Sequence, residues 1–257
     1  MNADHINHFA GIIPARYASS RFPGKPLALL GNKTMIERVY EQASKALELV
    51  YVATDDERIF KTVRGFGGKA VMTSPDHFSG TDRCAEAITI ITAETGIKTD
   101  VVVNIQGDEP FIRPEQIRLI KNCFNSEEVE LATLIRKTGT DEDIFNPNQP
   151  KVIVDARGDA IYFSRSVIPF VRDADKDDWA LKHTFYKHIG LYAYRTETLG
   201  SITRLPRSPL EIAESLEQNR WIENGYRIRT ALTEWESIGI DTPEDLEKAK
   251  LLLEQFI

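Results

Sequence analysis

The chain has 257 residues, 42% of them hydrophobic and 28% charged, the balance of an ordinary globular protein. At this length about 70% of the unfolded chain's surface can be buried, so the core needs no disulfide or metal staple. Asp+Glu number 39 against 32 Lys+Arg, a formal charge of −7. That disfavours non-specific binding to nucleic acid or anionic membrane, so any polyanion must be met by a local basic cluster.

Phe9 to Ile13, a short apolar run ending at Pro14, predicts a buried strand. Thr34 to Leu47 has helical spacing, with Ile36, Val39, Tyr40, Ala43 and Leu47 on one face and a Thr34-x-x-Glu37 capping box at its start. Leu49 to Ala53 reads as a strand, Asp55 to Val63 as a helix and Ala70 to Met72 as a brief strand. Ser79-Gly80-Thr81-Asp82 caps a helix running to about Thr95, and Asp100 to Ile105 is a continuous, β-branched strand. Gly65-Phe66-Gly67-Gly68 follows a helix and reads as its C-cap and turn. Such alternation implies right-handed βαβ units and a parallel sheet covered on both faces.

After about residue 125 the pattern changes. Leu131 to Ile135, Lys151 to Asp155, Ala160 to Phe163 and Ile189 to Tyr194 read as strands with no long helix between them. Ala156-Arg157-Gly158-Asp159 is a hairpin-type turn, and Asp173 to Asp178 a charged loop. This predicts an antiparallel β insert at about 150–205, suited to a lid or a dimer contact. Ser208-Pro209-Leu210-Glu211 opens a further helix, Tyr226 to Leu232 is a late strand, and Thr242-Pro243-Glu244-Asp245 opens the last helix. The expectation is one α/β domain across 1–257 with an inserted β portion. Cys84 and Cys123 form no C-x-x-C and read as thiols of a reducing cytoplasm. Met1 to Ala10 lacks the pattern of a secretory signal, and no apolar run is long enough to span a bilayer.

In open parallel sheets, ligands bind beyond the carboxyl ends of the strands. The loop after the first strand, Pro14-Ala15-Arg16-Tyr17-Ala18-Ser19-Ser20-Arg21-Phe22-Pro23-Gly24-Lys25-Pro26, gathers Arg16, Arg21 and Lys25 in an otherwise acidic chain. A solvated basic loop is the plainer alternative. Its position, length and two stiffening prolines favour an anion site, where Arg forks, a Lys point charge and small residues suit a triphosphate. No G-x-G-x-x-G follows the first strand and no G-x-x-x-x-G-K-[ST] is present, which disfavours a dinucleotide-binding dehydrogenase and a P-loop kinase. The loop after the fourth strand, Gln106-Gly107-Asp108-Glu109-Pro110, puts an acidic pair at a strand end. That suits a divalent cation held together with substrate phosphates; a polar Gly-Asp turn is the alternative. Asp241 is not needed to cap the last helix, because Thr242 serves, and by itself it reads as a loop residue. Glu214, Glu217, Gln218 and Trp221 fall at i, i+3, i+4 and i+7 of one expected helix, either a solvated face or a site face.

Ile12 through Pro26 closely resembles the opening of the CMP-Kdo synthetase (3-deoxy-manno-octulosonate cytidylyltransferase) family. Further matches run in order along nearly the whole chain. They include Val52-Ala53-Thr54-Asp55, His77-Phe78-Ser79-Gly80-Thr81-Asp82-Arg83, Asn104-Ile105-Gln106-Gly107-Asp108-Glu109-Pro110, Tyr162-Phe163-Ser164-Arg165, His188-Ile189-Gly190-Leu191-Tyr192 and Asp241-Thr242-Pro243-Glu244-Asp245-Leu246. The resemblance implies a three-layer nucleotide-diphospho-sugar transferase (Rossmann-like) fold, a homodimer, Mg²⁺, and the reaction of CTP with Kdo to give CMP-Kdo and pyrophosphate. It implies Asp108 and Asp241 as metal ligands and Arg16, Arg21 and Lys25 as the triphosphate cradle. Ser79, Thr81, Arg83 and Gln106 then touch nucleotide or sugar, while Arg165, His188, Tyr192, Glu217 and Gln218 are sugar-side residues. His188 and Tyr192 also fit strand packing. The competing readings are a cytidylyltransferase for 8-amino-Kdo or a sialic acid, a glycosyltransferase (which would carry D-x-D rather than Q-G-D-E), and a non-catalytic CTP-binding regulator.

Overall fold

The computed structural model describes residues 8–19, 21–140 and 142–256, the last three by their backbone. Residues 1–7 of the N-terminal segment and Ser20 of the basic loop lie outside the described residues. In chain order the elements are β1 (Phe9–Ala15), β2 (Leu29–Leu30), β3 (Lys33–Thr34), α1 (Met35–Ser44), β4 (Leu49–Thr54), α2 (Glu57–Gly65), β5 (Ala70–Met72), α3 (Gly80–Thr95), β6 (Val101–Asn104) and α4 (Pro114–Asn122). There follow β7 (Leu131–Lys137), β8 (Lys151–Val154), β9 (Ala160–Ser164), α5 (Trp179–Lys182), β10 (Tyr186–Arg195), α6 (Thr196–Ile202), α7 (Pro209–Glu214), α8 (Gln218–Glu223), β11 (Ile228–Leu232) and α9 (Pro243–Phe256). They fall into two compact units, 1–118 with 193–203 and 237–257, and 119–192 with 204–236.

The first unit carries the expected parallel sheet, with β1 paired to β4 and to β6, and β4 to β5. Its strands are buried because the apolar side chains on both pleat faces meet helices; Ile12, Ile13, Val52 and Val102 have no exposed surface. Helix α1 buries Ile36, Val39 and Ala43, the stripe its spacing predicts, and the Thr34 hydroxyl accepts the Glu37 N–H. Residues Leu30, Met35, Phe111, Ile240, Leu246 and Ala249 form one apolar cluster that seats the last helix. The consequence for function is topological: the loops leaving β1 and β6 emerge at the same carboxyl edge.

The second unit is mixed rather than purely antiparallel. β8 pairs antiparallel with β9 and with β10, around a turn in which Gly158 takes φ 82° and donates to the Asp155 carbonyl. β7 and β11, however, pair in parallel from Leu131↔Ile228 to Ile135↔Leu232. That long-range pairing ties together segments on either side of the expected insert of about 150–205. The unit starts before β7 and runs through β11, because both strands belong to the same ladder.

The helix expected to carry Glu214, Glu217, Gln218 and Trp221 on one face is also corrected. Ser215 adopts the left-handed region (φ 51°, ψ 46°) and separates α7 from α8. Arg165 fixes the break by donating from Nε to the Glu214 carbonyl and from Nη2 to the Ser215 carbonyl. Helices α4, α5 and α6 are additions to the sequence reading.

Candidate active site

The basic loop is closed on itself. Gly24 takes φ 74° and its N–H donates to the Tyr17 carbonyl at 2.9 Å. This left-handed conformation favours glycine, and a Cβ there would add a tight 3.0 Å contact to the Tyr17 ring. The other face of the loop is held from α2. The Arg58 guanidinium sits 3.3 Å from the Tyr17 ring centroid, and Asp56 holds it through Nε at 3.0 Å and Nη2 at 2.7 Å. Asp56 is also the N-cap of α2, and the hydrogen bond from Arg58 leads in holding its carboxyl below the usual range.

The second wall is the loop after β6. A Cβ at Gly107 would come within 2.8 Å of the Pro14 carbonyl oxygen, so this loop can lie against the end of β1 only as glycine. Asp108 follows, and its Oδ2 accepts from Lys25 Nζ at 2.6 Å. The same ammonium donates to Asp241 Oδ1 at 3.1 Å, while Arg21 Nη2 lies 3.1 Å from Asp241 Oδ2. Asp241, a loop residue on sequence grounds, therefore joins Asp108 on one shared cation. Two local features bring it there. The Ile240 N–H donates to the Asp108 carbonyl at 2.9 Å. Thr242 and Asp245 cap α9 between them, with Thr242 Oγ1 accepting the Asp245 N–H and Asp245 Oδ2 accepting the N–H groups of Asp241 and Thr242. The Asp241 carboxylate is thus left to face Lys25 and Arg21. Burial pushes the neighbouring Glu109 carboxyl up to about 7.

The third wall is the start of α3. Ser79 Oγ accepts the Asp82 N–H and Asp82 Oδ2 accepts the Ser79 N–H, a complete capping box. Arg83 is buried one turn in, donating to Thr73 Oγ1 at 2.6 Å and the Ser74 carbonyl, with Asp55 Oδ2 3.4 Å from Nη2. Thr81 is also buried, 3.5 Å from the Tyr194 hydroxyl, and stands behind the wall. The cleft these walls enclose has a volume of about 320 Å³. Arg16, Arg21, Lys25, Ser79, Arg83, Gln106, Asp108 and Asp241 all line it, so eight of the sequence-derived residues converge in one place. His77 and Phe78 also line it. Phe78 is 96% exposed, an apolar side chain in water beside a polar cleft. The sequence reading missed Tyr17, Asp56 and Arg58 as supports; a cation in the first turn of α2, against the helix dipole, was the available signal.

The remaining expected residues lie in the second unit. Arg165 donates to three carbonyls, those of Pro147, Glu214 and Ser215. Three of its five N–H groups are therefore committed to the backbone. The Thr133 hydroxyl donates to the Leu191 carbonyl and so accepts from His188 Nε2 at 2.9 Å. The His188 ring stands edge-on to Phe163, with Tyr192 beside it, and burial pushes its pKa down to about 3, so the imidazole is neutral. Tyr192 is buried edge-on to Trp221. Glu217 Oε1 accepts from Arg220 Nη2, and Gln218 is buried with no partner for its Nε2.

Fold and cleft define a nucleotidyl-transfer protein, and sequence comparison agrees: the cytidylyltransferase family model matches residues 10–254, and the chain belongs to this family. Within it the chain stands with the 3-deoxy-manno-octulosonate cytidylyltransferases. The protein of that name from Bacteroides thetaiotaomicron is 60% identical over 248 residues, covering 95% of this chain and 98% of that protein. Its namesake from Parabacteroides distasonis is 58% identical over 249 residues, with the same coverage. A solved CMP:2-keto-3-deoxy-manno-octonic acid synthetase complexed with CTP superposes with a TM-score of 0.88 at 42% identity, covering 97% of this chain and all of that one. Among the described residues no helix is long and apolar enough to cross a membrane.

Proposed function

We propose that the protein transfers CMP from CTP to the anomeric hydroxyl of Kdo, releasing pyrophosphate and supplying CMP-Kdo for lipopolysaccharide synthesis. The observation that carries the reading is the convergence of Asp108 and Asp241 on Lys25, beside Arg21, in a cleft lined by further cations. The names of the relatives and the CTP in the solved neighbour support it.

The sugar's anomeric oxygen forms a bond to the α-phosphorus of CTP, and the bond from that phosphorus to the bridging oxygen of pyrophosphate breaks. Both reactants are anions, so the barrier contains their repulsion. Arg16, Arg21 and Lys25 oppose it by holding the triphosphate and neutralising charge on the departing pyrophosphate. Arg83 is held by Asp55 and Thr73 behind the start of α3 and keeps that wall in place, while Ser79 and Gln106 offer polar contacts from the cleft surface.

The donor set fits Mg²⁺. Two carboxylates with hard oxygen donors already share one cation, and Mg²⁺ is usually held by one or two carboxylates together with substrate phosphates. Asp108 and Asp241 would hold it. When bound it supplies charge neutralisation at the phosphates and favours ionisation of the attacking hydroxyl. A cytoplasmic, homodimeric enzyme completes the reading, and unbridged Cys84 and Cys123 accord with that compartment.

Pyrophosphate release from CTP with a panel of acidic sugars tests it. The reading expects turnover with Kdo above that with 8-amino-Kdo or a sialic acid. No turnover with Kdo alongside turnover with a rival sugar overturns the choice of sugar, and transfer that releases free nucleotide without pyrophosphate overturns the reaction.

A further inference from the structure

Lys25 has two incompatible tasks in the reading above. It belongs to the triphosphate cradle, yet its ammonium is 2.6 Å from Asp108 and 3.1 Å from Asp241, on the same oxygens a divalent cation would need. Its side chain is only 14% exposed, so it is not a loosely solvated surface lysine. Arg21 adds a second positive charge to Asp241 at 3.1 Å.

We infer that Lys25 is a resident cation that keeps divalent metal off Asp108 and Asp241 until a triphosphate arrives, so that the empty enzyme selects the metal–nucleotide complex over free metal. The inference rests on the metal reading above and adds an order to it. Without Lys25, two carboxylates facing one space would repel each other and attract any divalent cation. With it, free metal must displace an ammonium whose ion pairs among the described residues are these two carboxylates. The incoming triphosphate changes this balance. Its oxygens are strong acceptors for an ammonium, and Lys25 sits on a short loop turn, Lys25–Leu27, beside Arg16 and Arg21. Lys25 then leaves the carboxylates for the phosphates, and the two aspartates become available to metal in the same event. Binding of nucleotide and of metal are thereby coupled, and by linkage each favours the other. The Arg21–Asp241 contact follows the same logic: it breaks as Arg21 turns to phosphate.

The test is direct metal binding, read by the electron paramagnetic resonance signal of free Mn²⁺. Wild-type protein without nucleotide is expected to bind Mn²⁺ weakly, and Lys25→Met to bind it on the order of tenfold more tightly. The same substitution should weaken CTP binding in the absence of metal. Equal Mn²⁺ affinity in the two proteins overturns the inference and leaves the metal assignment standing. Wild-type protein with CTP that holds no more Mn²⁺ than CTP alone overturns the metal assignment and the inference with it. If Lys25→Met does not fold, wild type alone decides: a Kd near 1 mM for Mn²⁺ without nucleotide supports the inference, and one near 1 µM overturns it.

Discussion

Each unit of the molecule contains a lysine held between two carboxylates, and the two lysines sit in opposite circumstances. In the first unit Lys25 lies between Asp108 and Asp241, whose side chains are 34% and 46% exposed and line a cleft. In the second, Lys187 is buried between Glu142 and Glu236, and Glu142 also accepts from Arg136 Nη1 at 2.6 Å and the Gly139 N–H at 3.0 Å. Both oxygens of Glu142 are thus held by protein donors. Around Lys25 and Arg21 the two aspartates line a cleft that Arg16 also lines. The same trio of groups is thus a structural staple in one unit and an exchangeable arrangement in the other. What separates them is the depth of the lysine, 4% exposed at Lys187 against 14% at Lys25, and the cleft that the first trio lines.

Substitutions that treat the two trios alike should therefore give different results. Asp108→Asn is expected to lower CTP turnover by about a thousandfold while leaving the thermal midpoint close to wild type, measured by pyrophosphate release and a melt. Wild-type turnover in this variant contradicts the role given to Asp108. Lys187→Met should do the reverse. It takes one charged hydrogen bond from Glu142, which keeps Arg136 and the Gly139 N–H, and costs about 2 kcal/mol of stability, read from a denaturant midpoint, with activity per folded molecule retained.

Acid sharpens the contrast. Burial opposes ionisation of Glu142, but the hydrogen bonds from Lys187, Arg136 and the Gly139 N–H outweigh it and bring its pKa down to about 2. A carboxylate lowered in the folded state stabilises the fold fully above its unfolded pKa near 4.5, and loses that stabilisation as pH falls toward 2. Wild-type stability should decline across that window, and Glu142→Gln should flatten the decline. The smallest effect is expected at Arg58. Removing its stack on Tyr17 loosens the basic loop, so Arg58→Ala should raise KM for CTP about threefold with little change in kcat, since surface cation–π contacts are worth about 0.5–1 kcal/mol.

The cleft was legible in the sequence to the extent that it is local. Arg16, Arg21 and Lys25 share one loop, and Asp108 stands at the end of a strand whose β-branched run announces itself. The rule that parallel sheets bind ligands at their carboxyl edge then joins the two loops. Asp241 was legible only through the family resemblance, because its approach to Asp108 depends on the Ile240 N–H reaching the Asp108 carbonyl, a contact with no local signature. The second unit was harder. The parallel pairing of β7 with β11 joins segments far apart in the chain, and short strands without intervening helices suggested antiparallel order. The Glu214-to-Trp221 stripe failed because periodicity is blind to one left-handed residue, Ser215, stabilised by the distant Arg165. Arg165 itself shows the limit of assigning a guanidinium from sequence, since most of its donors hold backbone.

A crystal structure with CTP and Mn²⁺ tests the central claim most directly. The account predicts the triphosphate against Arg16 and Arg21, the anomalous signal of the metal at Asp108 and Asp241, and Lys25 moved onto phosphate oxygens. A triphosphate bound outside this cleft, or one bound within it while Lys25 still bridges Asp108 and Asp241, would contradict it.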